Sequence, residues 1–396
     1  MNTMRAYYDR YLPWALGIAF LFGLLVFPFY QRESPYWVYV GANALFYAIL
    51  ASSWALLAGY NGQFSFAHMA FMGLATYASG IVGREAGIWA LNWSPALSIP
   101  FGVLVAGVVG LLIGYLCLRL RSTYLALFTI AFAEILRLVF KAEVDLTGGP
   151  NGLYLKTFNL PFLEGLTRYA STYAPMYYTM LAVFLFSLVV MYALVNSRYG
   201  IFFRAVREDE EAAAALGVHV VRVRILAFVV SSMIAGLAGA VFHHSPGIGI
   251  VVPDEMIIGR MSLVIAMAVI GGSNNLMAAA IGALFLHFAL EWLQEIPMPD
   301  ALMSWLQAHQ ATLEAWGFGL GEAGLKTNAW RMVAFGILLM VTLRFWRNGL
   351  VSPILERIMQ ARAKEEVARG RAAKAGKDLA DVDKLVVDES PNEGGQ

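Results

Sequence analysis

The sequence predicts an all-α polytopic membrane protein of about ten transmembrane helices, with a short helix at the water surface between two of them. Three observations predict it. Of the 396 residues, 59% are hydrophobic and only 14% charged, where a soluble domain carries roughly 25% charged residues. The apolar residues fall in runs of about 18 or more, long enough to cross a bilayer as helices. The Lys and Arg residues gather densely in alternate connections, as the positive-inside rule asks of a multi-pass chain.

In chain order the runs lie at roughly 11–30, 36–58, 64–82, 97–118, 122–140, 174–195, 225–243, 256–271, 276–294 and 329–347. Arg5 and Arg10 precede the first, and no small-x-small cleavage site follows it, so it reads as an uncleaved span. The third and eighth are short or glycine-rich. Ten spans put Arg5 with Arg10, Arg119 with Arg121, the cluster at 198–224, and Arg344 with Arg347 on one side. The sparser Arg32, Arg84, Lys141, Lys156, Arg168 and Lys326 fall on the other. Both termini and the 198–224 stretch are therefore expected in the cytoplasm. Residues 1–353 are expected to form the transmembrane domain, and 354–396 a charged tail, helical over 354–377 and disordered from Asp378. A formal net charge of +1 does not point to nucleic acid. Cys117 stands alone and cannot form an internal disulfide.

Polar residues inside apolar runs come next. Gln63, Ser65 and His68 cluster at the start of the third run, after an Asn61-Gly62 turn signal. Each would be costly in lipid unless paired or facing a cavity. They read either as a broken helix beside a transport path or as hydrogen bonds joining helices. Thr129 and Glu134 lie in the fifth run. Glu134 is ~18 Å along the helix from Ser122, at 1.5 Å per residue. Arg137 shares its face, so mutual neutralisation, with Arg137 snorkelling outward, is the simpler reading. Arg260 reads as another snorkelling side chain. Gly271 and Gly272, followed by Ser273, Asn274 and Asn275, mark a tight turn, with no lysine at Walker A spacing. His243 and His244 point about 100° apart on a helix and are not expected to share a metal. No metalloprotease, nucleophile-elbow or cysteine-cluster motif is present, so enzyme chemistry has no support and no catalytic residue is named.

The stretch at 204–224 interrupts this apolar pattern. Glu208, Asp209, Glu210 and Glu211 are followed by four alanines, including Ala212 and Ala213, and then by Leu216 and Gly217. Carboxylates suit the positive N-terminal end of a helix, and glycine suits its C′ position. The spacing predicts one short helix from Glu208 to Gly217, exposed at the surface for a partner.

Four stretches carry a family resemblance over roughly residues 40–350. They are GYNGQFSFAHMAFMG at 59–73; Arg119-Leu120-Arg121 with Tyr124-Leu125-Ala126 and Glu134-Ile135-Leu136-Arg137; LTGGPNG at 146–152; and SRYG at 197–200 with RAVREDE at 204–210 and the alanines before Gly217. In these the chain resembles the LivM-type permease subunits of branched-chain amino-acid ABC importers. The resemblance implies an ABC importer permease fold in the bacterial inner membrane, a second, LivH-like permease, two ATPase subunits on the cytoplasmic face and an extracytoplasmic binding protein. It implies no cofactor in this chain, since ATP is hydrolysed by the partners. Glu211, Ala212, Ala213 and Gly217 resemble the coupling motif of such permeases. It also assigns Thr147, Gly148, Gly149, Pro150, Asn151 and Gly152 to a structural motif, and it sharpens the choice of Gln63, Ser65, His68, Thr129 and Glu134 as path residues. The chain departs from the family at Ala67, Ser262, Ser273–Asn275 and Ala278–Ala280, so urea, short amides or small or aromatic carboxylates stand beside branched-chain amino acids as candidate solutes. The rival from another class is a stand-alone secondary transporter or channel, with Glu134 as its ion site.

Overall fold

A computed structural model describes residues 2–87, 89–116, 122–158 and 170–295, together with isolated positions from 304 to 351. The chain divides into two units. Of one, only the helical residues 2–24 are described; the other spans residues 25–352.

The second unit is a helical bundle. Its elements are the end of α1 (Asn2–Tyr30), α2 (Pro35–Trp54), α3 (His68–Gly83), α4 (Pro95–Leu116), α5 (Ser122–Ala142), the single turn α6 (Val144–Thr147), α7 (Ala174–Asn196), α8 (Arg198–Glu208), α9 (Glu210–Ala215), α10 (Val220–His244), α11 (Ile258–Gly271) and α12 (Leu276–Glu295). A two-residue strand pair, β1 (Leu153–Tyr154) antiparallel to β2 (Ile250–Val251), is the sole sheet among the described residues. Nine of the ten expected runs coincide with helices. Five of these, Pro35–Tyr60, Pro95–Leu116, Ala174–Asn196, Val220–His244 and Leu276–Leu293, are long and apolar enough to cross a membrane; Gly17–Tyr30 and Ile258–Gly271 are shorter apolar helices. The tenth run at 329–347, the connection at 295–328, the tail at 354–396, and Cys117, Arg119 and Arg121 lie wholly or largely outside the described residues.

Burial separates helices that look alike in composition. α2 is apolar on every side, and nearly all of it is buried against α7, α10, α11 and α12, as a helix at the centre of a bundle must be. By contrast, α4 exposes Leu97, Phe101, Leu104, Val108 and Leu112 along one face while burying Gly102, Ala106 and Gly110 on the other. That inner face packs on α3 and α10 through small residues. A Cβ on Gly102 would lie 2.2 Å from the Ala75 carbonyl oxygen, and one on Gly110 would lie 2.0 Å from Ser232 Oγ.

The connections sort to two ends. At one end lie the 59–63 stretch, α8, α9 and the turn at 272–275. At the other lie the connections after α3, α5 and α10, joined by the β1–β2 pair, by Leu155 N–H to the Gly249 carbonyl at 2.8 Å, and by Arg84 Nη1 to the Leu146 carbonyl at 3.2 Å.

Candidate translocation and coupling sites

The polar cluster of the third run sits in a break between helices. The α2 helix continues as a π-helical turn, Ala55–Tyr60, a form that often marks functional positions. Residues 61–67 are then non-helical before α3 starts at His68. Buried irregular backbone must find hydrogen-bond partners, and several of its groups do so within the protein. Gly62 and Gln63 N–H donate to the Ala58 and Leu57 carbonyls at 3.2 and 3.1 Å. Phe66 N–H donates to Thr129 Oγ1 at 3.0 Å, Ala67 N–H donates to Ser65 Oγ at 3.2 Å, and the Ser65 carbonyl accepts from Trp54 Nε1 at 2.9 Å.

Gln63, Ser65, His68 and Thr129 are all buried. Gln63 Oε1 accepts from Asn61 Nδ2 at 2.8 Å. His68 Nε2 lies 2.7 Å from Ser231 Oγ, whose hydroxyl donates to the Ser53 carbonyl at 2.7 Å. Ser231 therefore accepts, and His68 carries its proton on Nε2. His68 Nδ1 is buried and has no hydrogen-bond partner among the described residues. Thr129, on α5, is what draws that helix to the break.

Glu134 stands apart from this group. Arg137 Nη2 meets Glu134 Oε1 at 2.6 Å, Arg137 Nη1 meets Asp254 at 2.7 Å, and Lys141 meets Asp254 at 3.4 Å. The neutralising pair expected from the sequence is present, with Asp254 added. Glu134 also borders a cavity of about 120 Å³ with Phe66, Ile130, Ala133, Met256, Ile258 and Met261. Phe66 of the break and Glu134 thus face the same space.

The surface stretch differs from expectation in one respect. It is two helices rather than one: Glu208 ends α8, and Asp209 separates it from α9. The reason is local. Asp209 is extended (φ −154°), and its carboxylate accepts from the N–H groups of Glu211 and Ala212, both at 3.0 Å, as an N-cap does. Glu208 instead pairs with Arg207, and Glu210 with Arg224 at 2.6 Å. Gly217 is where the spacing puts it. It has φ +87°, its N–H donates to the Ala214 carbonyl at 3.0 Å, and Val218 N–H donates to the Ala213 carbonyl at 3.0 Å. That is a Schellman ending, which favours glycine.

Arg207 joins three of the sequence motifs. Its Nη1 donates to the Gly59 carbonyl at the end of the π turn and lies 3.4 Å from Asn274 Oδ1 in the turn after Gly271 and Gly272. Arg204 lies over the Tyr60 ring, 5.5 Å from its centroid. At Gly59 a Cβ would lie 1.8 Å from the Ser273 carbonyl oxygen, so only glycine fits this junction. Nothing in the sequence separates Arg207 from the arginines around it, because its partners are far away in the chain.

At the opposite end, LTGGPNG forms a compact knot. Thr147 Oγ1 donates to the Phe140 carbonyl at 2.6 Å and accepts from Gly149 N–H at 3.3 Å. Gly148 has φ +78°, Pro150 lies in the short 3-10 turn Gly149–Asn151, and a Cβ on Gly152 would lie 2.4 Å from the Val251 carbonyl oxygen. The knot launches β1 against β2. His243 and His244 are each engaged separately, His243 Nε2 with Glu255 at 2.6 Å and His244 Nδ1 with the Lys156 carbonyl at 2.6 Å. No cluster of three His, Cys, Asp or Glu side chains suited to a metal occurs among the described residues. Burial pushes the Glu255 carboxyl up, but the charge and hydrogen bond of His243 and the charge of Arg260 outweigh it. The group lies below its ordinary value of 4.5.

Residues 37–343 match the family described as branched-chain amino acid transport system / permease component. The high-affinity branched-chain amino acid transport system permease protein LivM of Salmonella typhimurium is 28% identical over 309 residues, 72% of this chain and 70% of that protein. LivM of Escherichia coli K12 shows the same identity and coverage. The autoinducer 2 import system permease protein LsrC of Yersinia pseudotuberculosis is 26% identical over 236 residues, 57% of this chain and 63% of its own length. No solved structure matches.

Proposed function

The chain belongs to the family of branched-chain amino acid transport system permease components, and from that premise we propose that it is one of two permeases in an ATP-driven importer for amino acids with hydrophobic side chains or a related small solute. It is a multi-pass membrane transport component and not an enzyme. Its partners in this reading are a LivH-like second permease, two ATPase subunits that dock on α9, and an extracytoplasmic binding protein. The α9 end and both termini then face the cytoplasm.

The observation that carries the reading is the junction around α9. A short capped helix stands at the surface, held to α10 by Arg224 and Glu210. The neighbouring Arg207 reaches the π turn of α2 and the turn before α12. A push on α9 therefore has a route to the break at 61–67 and to the cavity beside Glu134. Transmission of this kind needs an element biased from both sides, and α9 with Arg207 is placed to be one. The polar residues Gln63, Ser65 and His68 support the break as part of the path, with Thr129 holding it. Glu134 is a weak ion site for a stand-alone transporter, because its carboxylate is already bound by Arg137.

The test is Gly217→Arg. Space around Gly217 is open, so the arginine fits, but a non-glycine residue at φ +87° is strained by about 1–3 kcal/mol. Membrane insertion is expected to survive while ATP-dependent uptake by the reconstituted complex is lost. Unchanged uptake would remove the coupling role.

A further inference from the structure

The cavity of about 120 Å³ beside Glu134 lies between two pieces of chain. The α5 helix supplies Ile130, Ala133 and Glu134; the 3-10 turn Pro253–Met256 and α11 supply Met256, Ile258 and Met261. Among the described elements, α5 makes its broadest contact with this turn. Parting that contact opens the cavity.

The turn is fastened unequally. Toward α3 and α10 it is fixed. Met256 is 1% exposed, and a Cβ on Gly73 of α3 would lie 2.0 Å from its Sδ. Gly73, the last residue of the 59–73 stretch, is thus the seat for this side chain. Beside it, Glu255 meets the buried His243 of α10 at 2.6 Å. Toward α5 the tie is lighter. Asp254, with 60% of its side chain exposed, accepts from Arg137 Nη1 at 2.7 Å and lies 3.4 Å from Lys141 Nζ. Exposed pairs of this kind contribute little and can break and re-form.

Arg137 keeps a charge partner when the pair with Asp254 breaks. Its Nε and Nη2 donate to the two carboxylate oxygens of Glu134 at 3.0 and 2.6 Å, which leaves Nη1 for Asp254. With Asp254 released to water, Arg137 stays paired within its own helix. Two arrangements of the same groups are therefore available, and neither strands a largely buried cation, whose cost would forbid it.

We propose that α5 and the Pro253–Met256 turn are the two lips of a gate over this cavity. Arg137 and Asp254 are its latch, Met256 is the sill on which α5 closes, and Glu134 keeps Arg137 paired while the latch is open. The gate rests on the reading of the chain as an importer permease, which supplies the nucleotide cycle that works it; the latch itself is read from the contacts.

The experiment uses the complete importer in proteoliposomes. In a Cys117→Ser background, which removes the chain's single cysteine, Ala133→Cys places one thiol in the cavity wall. Its labelling by two membrane-impermeant methanethiosulfonates, one anionic and one cationic, reports how often the cavity opens. Nucleotide-free and vanadate-trapped complexes are expected to label at rates about fivefold or more apart. Asp254→Asn is expected to speed labelling of the slower state about fivefold with both reagents, and Met256→Ala to speed it without a change of charge. Asp145→Asn, the same change of charge at an exposed position on the neighbouring connection, is expected to leave the rate alone. In a complex that hydrolyses ATP, equal labelling of the two nucleotide states, or an Asp254→Asn rate that is unaltered or moves in opposite directions with the two reagents, would overturn the gate and leave the importer reading standing. In a complex that does not hydrolyse ATP the importer reading falls, while faster labelling of Asp254→Asn with both reagents still upholds the latch and an unaltered rate removes it.

Discussion

The Thr129 hydroxyl is used twice, accepting from Phe66 N–H and donating to the Ala126 carbonyl, each at 3.0 Å. Thr129→Val keeps the shape and deletes the acceptor. A buried N–H left without a partner costs about 1–3 kcal/mol. A lower melting temperature in detergent is expected for Thr129→Val and a near-normal one for Thr129→Ser; equal melting of the two would show that the bond contributes nothing. Glu255 gives a pH prediction. Its folded value lies below 4.5, so its contribution is fully present above that pH and is lost as pH falls through the lower folded value. Acid melts of the wild type should lose stability there, and Glu255→Gln should remove that part of the loss. At this scale the sequence showed which residues were out of place in lipid, Gln63, Ser65, His68 and Glu134 among them. It did not show their partners. Ser231 lies 163 residues from His68 and Thr129 lies 63 from Phe66, and such pairings exist only once helices pack.

Among the elements, α9 was legible at one end and not at the other. Gly217 marked its end because a left-handed cap has few alternatives to glycine. Its start fell in a run of four acidic residues, each a plausible opening, and only the extended backbone of Asp209 decides between them. Asp209→Ala is expected to destabilise α9 by about 1 kcal/mol, measured as faster amide exchange confined to residues 210–217. Exchange unchanged from wild type would remove the cap. Arg207→Ala acts on a different link. It cuts the ties to Gly59 and Asn274 while leaving α9 capped, so ATP hydrolysis by the complex is expected to persist with reduced uptake. The break at 61–67 was legible from its polar residues, whereas the π turn before it, ALLAGY, carries no compositional mark.

For the molecule as a whole, length and hydropathy were sufficient to set out nine apolar helices among the described residues, since a bilayer fixes how long an apolar run must be, but not the surface helix Arg198–Glu208. They could not rank them. The α2 and α4 helices are both uniformly apolar, yet one is enclosed and the other shows a broad face outward. That difference comes from neighbours rather than from the run itself. A whole-molecule prediction follows from α10, which begins just after α9 and ends at the opposite pole. Spin labels on the exposed Leu216 and Tyr154 are expected to keep their separation through the ATP cycle, and a change wider than the label's own spread would show that α10 bends.

The small-residue seams between α3, α4 and α10 give that expectation its mechanical content. Atoms seated 2.0–2.2 Å from where a Cβ would stand bring these helices into close backbone contact, so the three are expected to move as a single stiff beam. The beam includes α10, 25 residues or about 38 Å long. One end is pinned through Arg224 to α9 and the other through His243 to Glu255 and through His244 to the Lys156 carbonyl. Compliance is then expected elsewhere, in the irregular 61–67 stretch and in the π turn before it. A substitution that softens the beam, such as a bulkier residue at Gly110, would dissipate a displacement along its length before it reached the far pole.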